Sequence, residues 1–339
     1  MIFSCRKRLN QYFLFSILSL TAVGIFSGCQ SESIQLEIPD GFPQPTFPED
    51  NTPTVKRVLL GEKLFFDKNL SLDSSVACVN CHLPQLAFTD GRSKSTGIYG
   101  RQSKRNAPSI LNAAYLTEVN RDGGVKKLDL QAIVPIEDEH EMGISLPELA
   151  KRLEQDPAYT KLAQEAYQQT PNPFVITRAL ATFIRTLYSG DSPYDQFIHG
   201  DTTALNASAQ YGKTLFESDR LNCTSCHSGY NFTNGTFQNN GLYEEYVDLG
   251  RMLITADSAD LGKFRVPSLR NVALTAPYMH DGSLATLDAV LDHYQHRGAN
   301  PTRLQSANLR AFTLTEDEKE ALLAFLKSLT GQTFPYVTE

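Results

Sequence analysis

Apolar positions recur at helical spacing in six stretches of the chain. TVKRVLLGEKLFFD (54–67) puts its apolar residues on one face and stops at a loop. ISLPELAKRLEQ (144–155) starts around a Ser and carries Pro147 in its first turn. PFVITRALATFIRTLY (173–188) is the longest apolar-periodic run and is predicted to be core. ALNASAQYGKTLFES (204–218), SLATLDAVLDHYQ (283–295) and LTEDEKEALLAFLKSLT (314–330) follow, the last opened by Thr315 with Glu318 three residues on, a capping box. Strand signals are few and short, so a mainly α fold is expected. The loop-rich residues 190–203, with SGDSPYD and HGDTTALN, mark the expected boundary between residues 53–200 and 201–339.

The first residues read differently. Arg6, Lys7 and Arg8 precede a mostly apolar run from Tyr12 to Phe26, too short for an ordinary membrane span, and the run ends in Phe-Ser-Gly-Cys29. Residues 1–28 are expected to be a signal peptide that exports the chain to the periplasm, with lipidated Cys29 as a membrane anchor. Ordinary cleavage and an uncleaved anchor are the other readings, and both also export the chain. Residues 29–52 are polar and Pro-rich and read as a flexible tether.

The whole chain has net charge -7. Residues 1–28 hold three basic and no acidic residues, which leaves 28 Lys and Arg against 38 Asp and Glu, a net -10. Nucleic acid is excluded as a partner, since it requires a basic face.

Cysteine use is the most informative count. Beyond Cys5 and Cys29, the remaining four form Cys78-Val-Asn-Cys81-His82 and Cys223-Thr-Ser-Cys226-His227. CxxCH is the attachment signature of haem c: each Cys forms a thioether to the porphyrin edge and the adjacent His reaches the iron. Two disulfides, a redox-active CxxC pair, or zinc on four Cys and two His are the alternatives. An adjacent His in both copies, with no Cys left over, favours two covalent haems. The preceding residues repeat as well, GEKLFFDKNLSLDSSVACVNCH (61–82) against GKTLFESDRLNCTSCH (212–227), each a helix, a loop and CxxCH. Two cytochrome c-like domains follow, one haem each.

The order of AFTDGR (87–92), RNAPSILNAAY (105–115), QAIVPIEDEHEMG (131–143) and RVPSLRNVALTAPYMHDGSLATLDAVLDHY (265–294) around both CxxCH motifs resembles the bacterial di-haem cytochrome c peroxidases, which include the MauG-type enzymes. The resemblance covers about residues 55–330. It implies that H2O2 reacts at the N-terminal haem, that the C-terminal haem takes up electrons, and that a calcium ion lies between them. By the same match Glu141 is the distal acid–base group, with Gln131 and Pro135 beside it in the pocket. Tyr294 stands where peroxidases have a Met ligand to the second iron, the MauG-type arrangement. His293, His296 and Met279 are its neighbours and competitors. Arg265, Arg270 and His280 match propionate-binding positions, with a purely structural bond as the alternative for Arg270. Asn106, Thr275 and Pro277 match calcium ligands.

Two departures stand out. No His lies between His82 and His140, where an activating ligand would be, and Tyr99 falls near its place. The inter-haem Trp position holds Arg121, in a chain with no Trp at all. Electron transfer by edge proximity between the haems, or through a Tyr such as Tyr115, is the remaining route.

Two enzyme readings follow. One is a peroxide-dependent oxidase of a partner protein, such as a Trp-bearing copper or amine-oxidising protein. The other is a plain peroxidase fed by a small cytochrome c or a cupredoxin. A two-haem electron-transfer module without catalysis is the third reading.

Overall fold

Side-chain caps set where the helices begin. Thr54 accepts from Arg57 N (3.3 Å) and opens α1 (Val55–Phe66). Ser145 and Pro147 precede and start α2 (Leu146–Glu154). Asp156 accepts from Ala158 N (2.8 Å) and, with Pro157 at the first helical position, starts α3 (Pro157–Tyr167), a helix that the apolar pattern alone did not reveal. Asn172 caps α4 (Pro173–Ile184), and Asn206 caps α5 (Ala207–Phe216). Thr286 caps α6 (Leu287–Gln295), and the Thr315–Glu318 capping box opens α7 (Glu316–Ser328). This computed structural model describes residues 34–296 and 303–331; Cys29 and the expected signal peptide lie outside them. Among the described residues the only sheet is an antiparallel pair, β1 (Phe237–Gln238) with β2 (Phe264–Arg265), in register Phe237 to Arg265. The mainly α expectation holds.

The two halves are built on one plan, and the repeat runs further than the segments around CxxCH. In the first half α1 packs on α4; in the second α5 packs on α7. Each pair crosses at a glycine. A Cβ added to Gly61 would lie 2.0 Å from Ala179 O, and one added to Gly212 would lie 1.9 Å from Ala321 O, so only Gly lets these backbones touch. The facing helices read Ala179-Leu-Ala-Thr-Phe183 and Ala321-Leu-Leu-Ala-Phe325. Phe65 meets Phe183 at 5.1 Å between ring centroids, and Phe216 meets Phe325 at the same 5.1 Å. Phe88 and Phe232 complete the two aromatic clusters, at 6.3 Å from Phe65 and 6.2 Å from Phe216. All six of these rings are buried in the cores of their halves.

The halves meet through matched asparagines. Asn112 and Asn271 both adopt left-handed backbone (φ 58° and 60°) ahead of a single 3-10 turn. Their amides converge on one residue: Asn112 Nδ2 donates to Ser189 O and Asn271 Nδ2 to Ser189 Oγ, each at 2.9 Å.

Residues 34–52 correct the tether expectation. Phe42 packs edge-on against Tyr230 (4.8 Å) and lies beneath the Arg270 guanidinium (4.7 Å), while Pro43 O accepts from Tyr115 Oη (3.0 Å). Asn51 is fully buried, donating to Asp129 and accepting from Tyr167 Oη and Thr182 Oγ1. The stretch is a docked strap: its aromatic and Pro rings offer apolar surface that its polar composition hides. No described helix is long and apolar enough to cross a membrane.

Candidate active site

Each CxxCH ends in a buried histidine held in the same way. His82 Nδ1 lies 2.9 Å from Phe88 O, and His227 Nδ1 lies 3.1 Å from Phe232 O. A carbonyl only accepts, so Nδ1 carries the proton in both and Nε2 is left as a bare ligand nitrogen. Phe88 and Phe232 reach this position in left-handed backbone (φ 59° and 49°), costly for a bulky side chain. A second carbonyl, from Pro108 or Pro267, also favours each ring's proton, while burial pushes both imidazoles down in pKa and keeps them neutral.

No disulfide joins the four cysteines. Burial, above all, pushes Cys78 and Cys223 up to about 12 and Cys81 to about 11. They do not gather: among the described residues no group of three or more His, Cys, Asp or Glu could hold a metal ion. That arrangement disfavours the shared zinc site and fits one haem per motif.

In the second half Cys223, Cys226 and His227 line a cavity of about 310 Å3, predominantly apolar in its walls, with Leu269, Val272, Leu291 and Leu326 among them. Tyr294 on α6 lines it too. Burial raises the phenol to about 12, opposed by a hydrogen bond from Asn240. His293, the adjacent competitor, is spoken for, its Nε2 3.0 Å from Asn240 O, and His296 is exposed. Met279 lines the cavity with its sulfur 3.1 Å from Asn240 Nδ2. Asn240 therefore sits between the two candidate ligands. Sequence reasoning missed it, since one polar residue in a polar loop carries no local signal.

Arg265 and His280 line the same cavity. Arg265 is buried and lowered to about 10 by desolvation; among the described residues it has no carboxylate within ion-pair distance, and its Nε makes a long bond to Asn120 O (3.4 Å). His280 stacks on Phe264 at 4.0 Å. A desolvated guanidinium without a carboxylate calls for an anion, which suits a haem propionate. Arg270 differs. Its guanidinium forks onto Asp195 (2.8 and 2.9 Å) and its Nε donates to Tyr230 O (2.7 Å), so the geometry favours the structural alternative over a propionate role. Arg121 is a cavity-lining cation that sequence matching treated only as a missing Trp. Asn106, Thr275 and Pro277 line the cavity as well, but both oxygens of Asn106 accept hydrogen bonds from Arg121.

In the first half Glu141 is close enough to Cys78 and Cys81 to raise both thiols. Its own carboxyl is pushed to about 7, first by desolvation and then by Asp138, with Lys104 opposing. His140, its neighbour, lies half-exposed beside Glu139 (3.9 Å) and turns to solvent. Gln131 and Pro135 stand on two short helices, Leu128–Gln131 and Ile133–Glu137, that lead to Glu141. Pro135 O accepts from Met142 N (3.1 Å), which folds the Glu141 segment back over this pair, and Gln131 Nε2 reaches Asn120 Oδ1 at 3.5 Å. Ile98 N donates to Glu141 O (2.9 Å), pinning the 97–101 loop on the other side. Tyr99 on that loop is 65% exposed, with the Arg101 guanidinium over its ring, so it lies at the surface.

Comparisons with known proteins agree with this architecture. The profile described as Di-haem cytochrome c peroxidase matches residues 55–203, and the one described as Cytochrome c matches residues 209–330. The chain is 38% identical to the methylamine utilization protein MauG of Methylorubrum extorquens, over 84% of this chain and 81% of that protein. It is 33% identical to the cytochrome c peroxidase Ccp of Escherichia coli, over 88% of this chain and 63% of that protein. A crystal structure of a MauG-like protein associated with microbial copper homeostasis superposes with a TM-score of 0.83 at 34% identity, covering 88% of this chain and 96% of that one. These relatives, on the fold and histidine geometry above, place the chain in the di-haem cytochrome c peroxidase and MauG family, peroxidase-class oxidoreductases with one covalent haem c in each of two cytochrome c-like domains.

Proposed function

We propose that this protein is a peroxide-dependent oxidase of a partner protein, with H2O2 reacting in the His82 half and electrons drawn from the partner through the His227 half. The observation that carries this reading is Tyr294 in the wall of the second haem cavity. A phenol oxygen is a harder, more anionic donor than a thioether, so it favours oxidised iron and suits a centre that holds oxidising equivalents. The bound haems supply the iron chemistry that breaks the O–O bond and the two-electron redox capacity.

The remaining work belongs to side chains. Cys78, Cys81, Cys223 and Cys226 anchor the two groups, and His82 and His227 face them with Nε2. Glu141, poised near neutrality, takes the proton from the incoming peroxide and delivers it to the departing oxygen. Gln131 and Pro135 shape that pocket. Arg265 and His280 receive the propionates of the second haem. H2O2 with two protons and two electrons from the partner gives two waters. A tryptophan of a copper-binding or amine-oxidising protein fits as donor, as does any partner aromatic that two one-electron steps can modify. Export behind residues 1–28, with Cys29 as lipid anchor, puts this chemistry in the periplasm.

Met279 supports a second reading. Its sulfur shares Asn240 with Tyr294, and a thioether at that position would suit a plain peroxidase drawing on a cytochrome c or cupredoxin. Adding H2O2 to the oxidised holoenzyme without any donor separates the two. The oxidase reading expects a long-lived oxidised form that decays when partner protein is added, with a mass change on the partner. Fast turnover on reduced cytochrome c, with no such form, overturns it.

A further inference from the structure

We propose that the Arg121 guanidinium takes the place of the inter-haem calcium ion that the family resemblance implies, so that an internal cation holds Asn106, which itself bonds to the second half, and no calcium binds there. Every polar group of Asn106 is already used. Its N–H donates to His280 O (2.9 Å) in the second half, and its Nδ2 donates to Arg92 O (2.8 Å). That fixes the amide with Oδ1 turned the other way, where Arg121 Nη2 donates to it. Arg121 Nε donates to the Asn106 main-chain oxygen at 2.9 Å. One planar fork thus spans both oxygens that a metal would take from this residue.

The charge balance points the same way. Arg121 has no carboxylate within ion-pair distance among the described residues, and Arg265 and Arg105 are close enough to depress it further, with Asp281 opposing. A divalent ion on the Asn106 oxygens would sit against a buried guanidinium, with two more beyond, in a medium that screens poorly. Calcium needs six to eight oxygens, and here two are lost unless Arg121 leaves. The fold fixes the main chain that carries it. Arg121 O accepts from Arg265 N (2.7 Å), Asp122 pairs with Arg105 (2.6 Å), and the turn closes through a Val119–Val125 bridge. At Gly123 (φ 73°) a Cβ would strike the Phe237 ring at 2.4 Å, which holds the turn under the second half. The same substitution that removes the indole therefore supplies the charge. The inference does not depend on which substrate the enzyme uses.

The test uses the two-haem holoenzyme, dialysed against EDTA and then against calcium chloride, with metal content by mass spectrometry and visible and EPR spectra at each stage. The parent protein is expected to carry no calcium above the buffer blank, with spectra unchanged by either step. Arg121→Ala frees both Asn106 oxygens and is expected to gain about one calcium per chain, given the oxygen set of Asn106, Thr275 and Pro277. Arg121→Lys keeps a cation and is expected to stay calcium-free. A parent protein that holds one calcium, lost to EDTA with a spectral change, overturns the proposal. So does an Arg121→Ala holoenzyme as calcium-free as its parent. If Arg121→Ala does not fold, the parent and Arg121→Lys measurements decide alone.

Discussion

The two halves share a scaffold and differ in the side chains proposed to face the haem. The shared parts are interchangeable: a glycine crossing at Gly61 or Gly212, a phenylalanine trio, and a histidine pinned by a left-handed Phe carbonyl. Beyond these shared parts, the first half presents Glu141, a carboxyl raised to about 7 chiefly by burial. The second presents Tyr294, a phenol held by Asn240, with buried arginines at the cavity wall. On the proposed reading, the difference teaches that a shared scaffold holds each haem, while a few side chains decide whether that haem meets a small molecule or holds charge.

The largest expected effect breaks the first half alone. Glu141→Gln keeps the volume and removes the proton carrier, so peroxide cleavage should slow about 10²–10⁴-fold with both haems retained. Stopped-flow mixing with H2O2 reads this, and unchanged kinetics would remove Glu141 from the proton path. In the second half, Tyr294→Met should raise that haem's reduction potential by on the order of 0.1 V or more and depress partner oxidation, while peroxide still reacts at the first. Spectroelectrochemistry checks it; a potential that stays put would show that Tyr294 is not a ligand.

The shared scaffold gives a third, smaller prediction. Gly61→Ala and Gly212→Ala each drive a methyl into a backbone carbonyl, and each should cost about 1–3 kcal/mol. Thermal melts of the two variants should match. Unequal costs would mean that the crossings are not equivalent.

A pH series sharpens the contrast further. As a base, Glu141 must be ionised, so the peroxide step should accelerate as pH rises through about 7. Stability runs the other way. The carboxyl is raised in the folded protein, so burying its ionised form weakens the fold as pH climbs from about 4.5 toward 7. The melting advantage of Glu141→Gln should therefore grow with pH and vanish in acid. An advantage independent of pH would place the carboxyl in water.

Much of this was legible in the chain because it is local. CxxCH, the helix periods, the Thr315 capping box and Tyr294 on an amphipathic helix are all carried within a few residues of one another. What was not legible is non-local. The matched Ala-x-x-x-Phe runs on α4 and α7 acquire meaning only once Gly61 and Gly212 lie against them. The Arg121–Asn106 fork joins two loops, and Asn240 meets Tyr294 from over fifty residues away. The strap at 34–52 was misread because composition reports polarity, not whether Phe42 finds a seam to fill. The α3 helix had a local signal, Asp156 followed by Pro157, but its apolar stripe is weak.

The asymmetry itself is tested most directly by EPR of the oxidised holoenzyme, recorded beside Tyr294→Phe. One high-spin and one low-spin ferric signal are expected, with only the low-spin signal altered by the substitution. Two low-spin signals, both untouched by Tyr294→Phe, would contradict an open first site and a phenol-closed second.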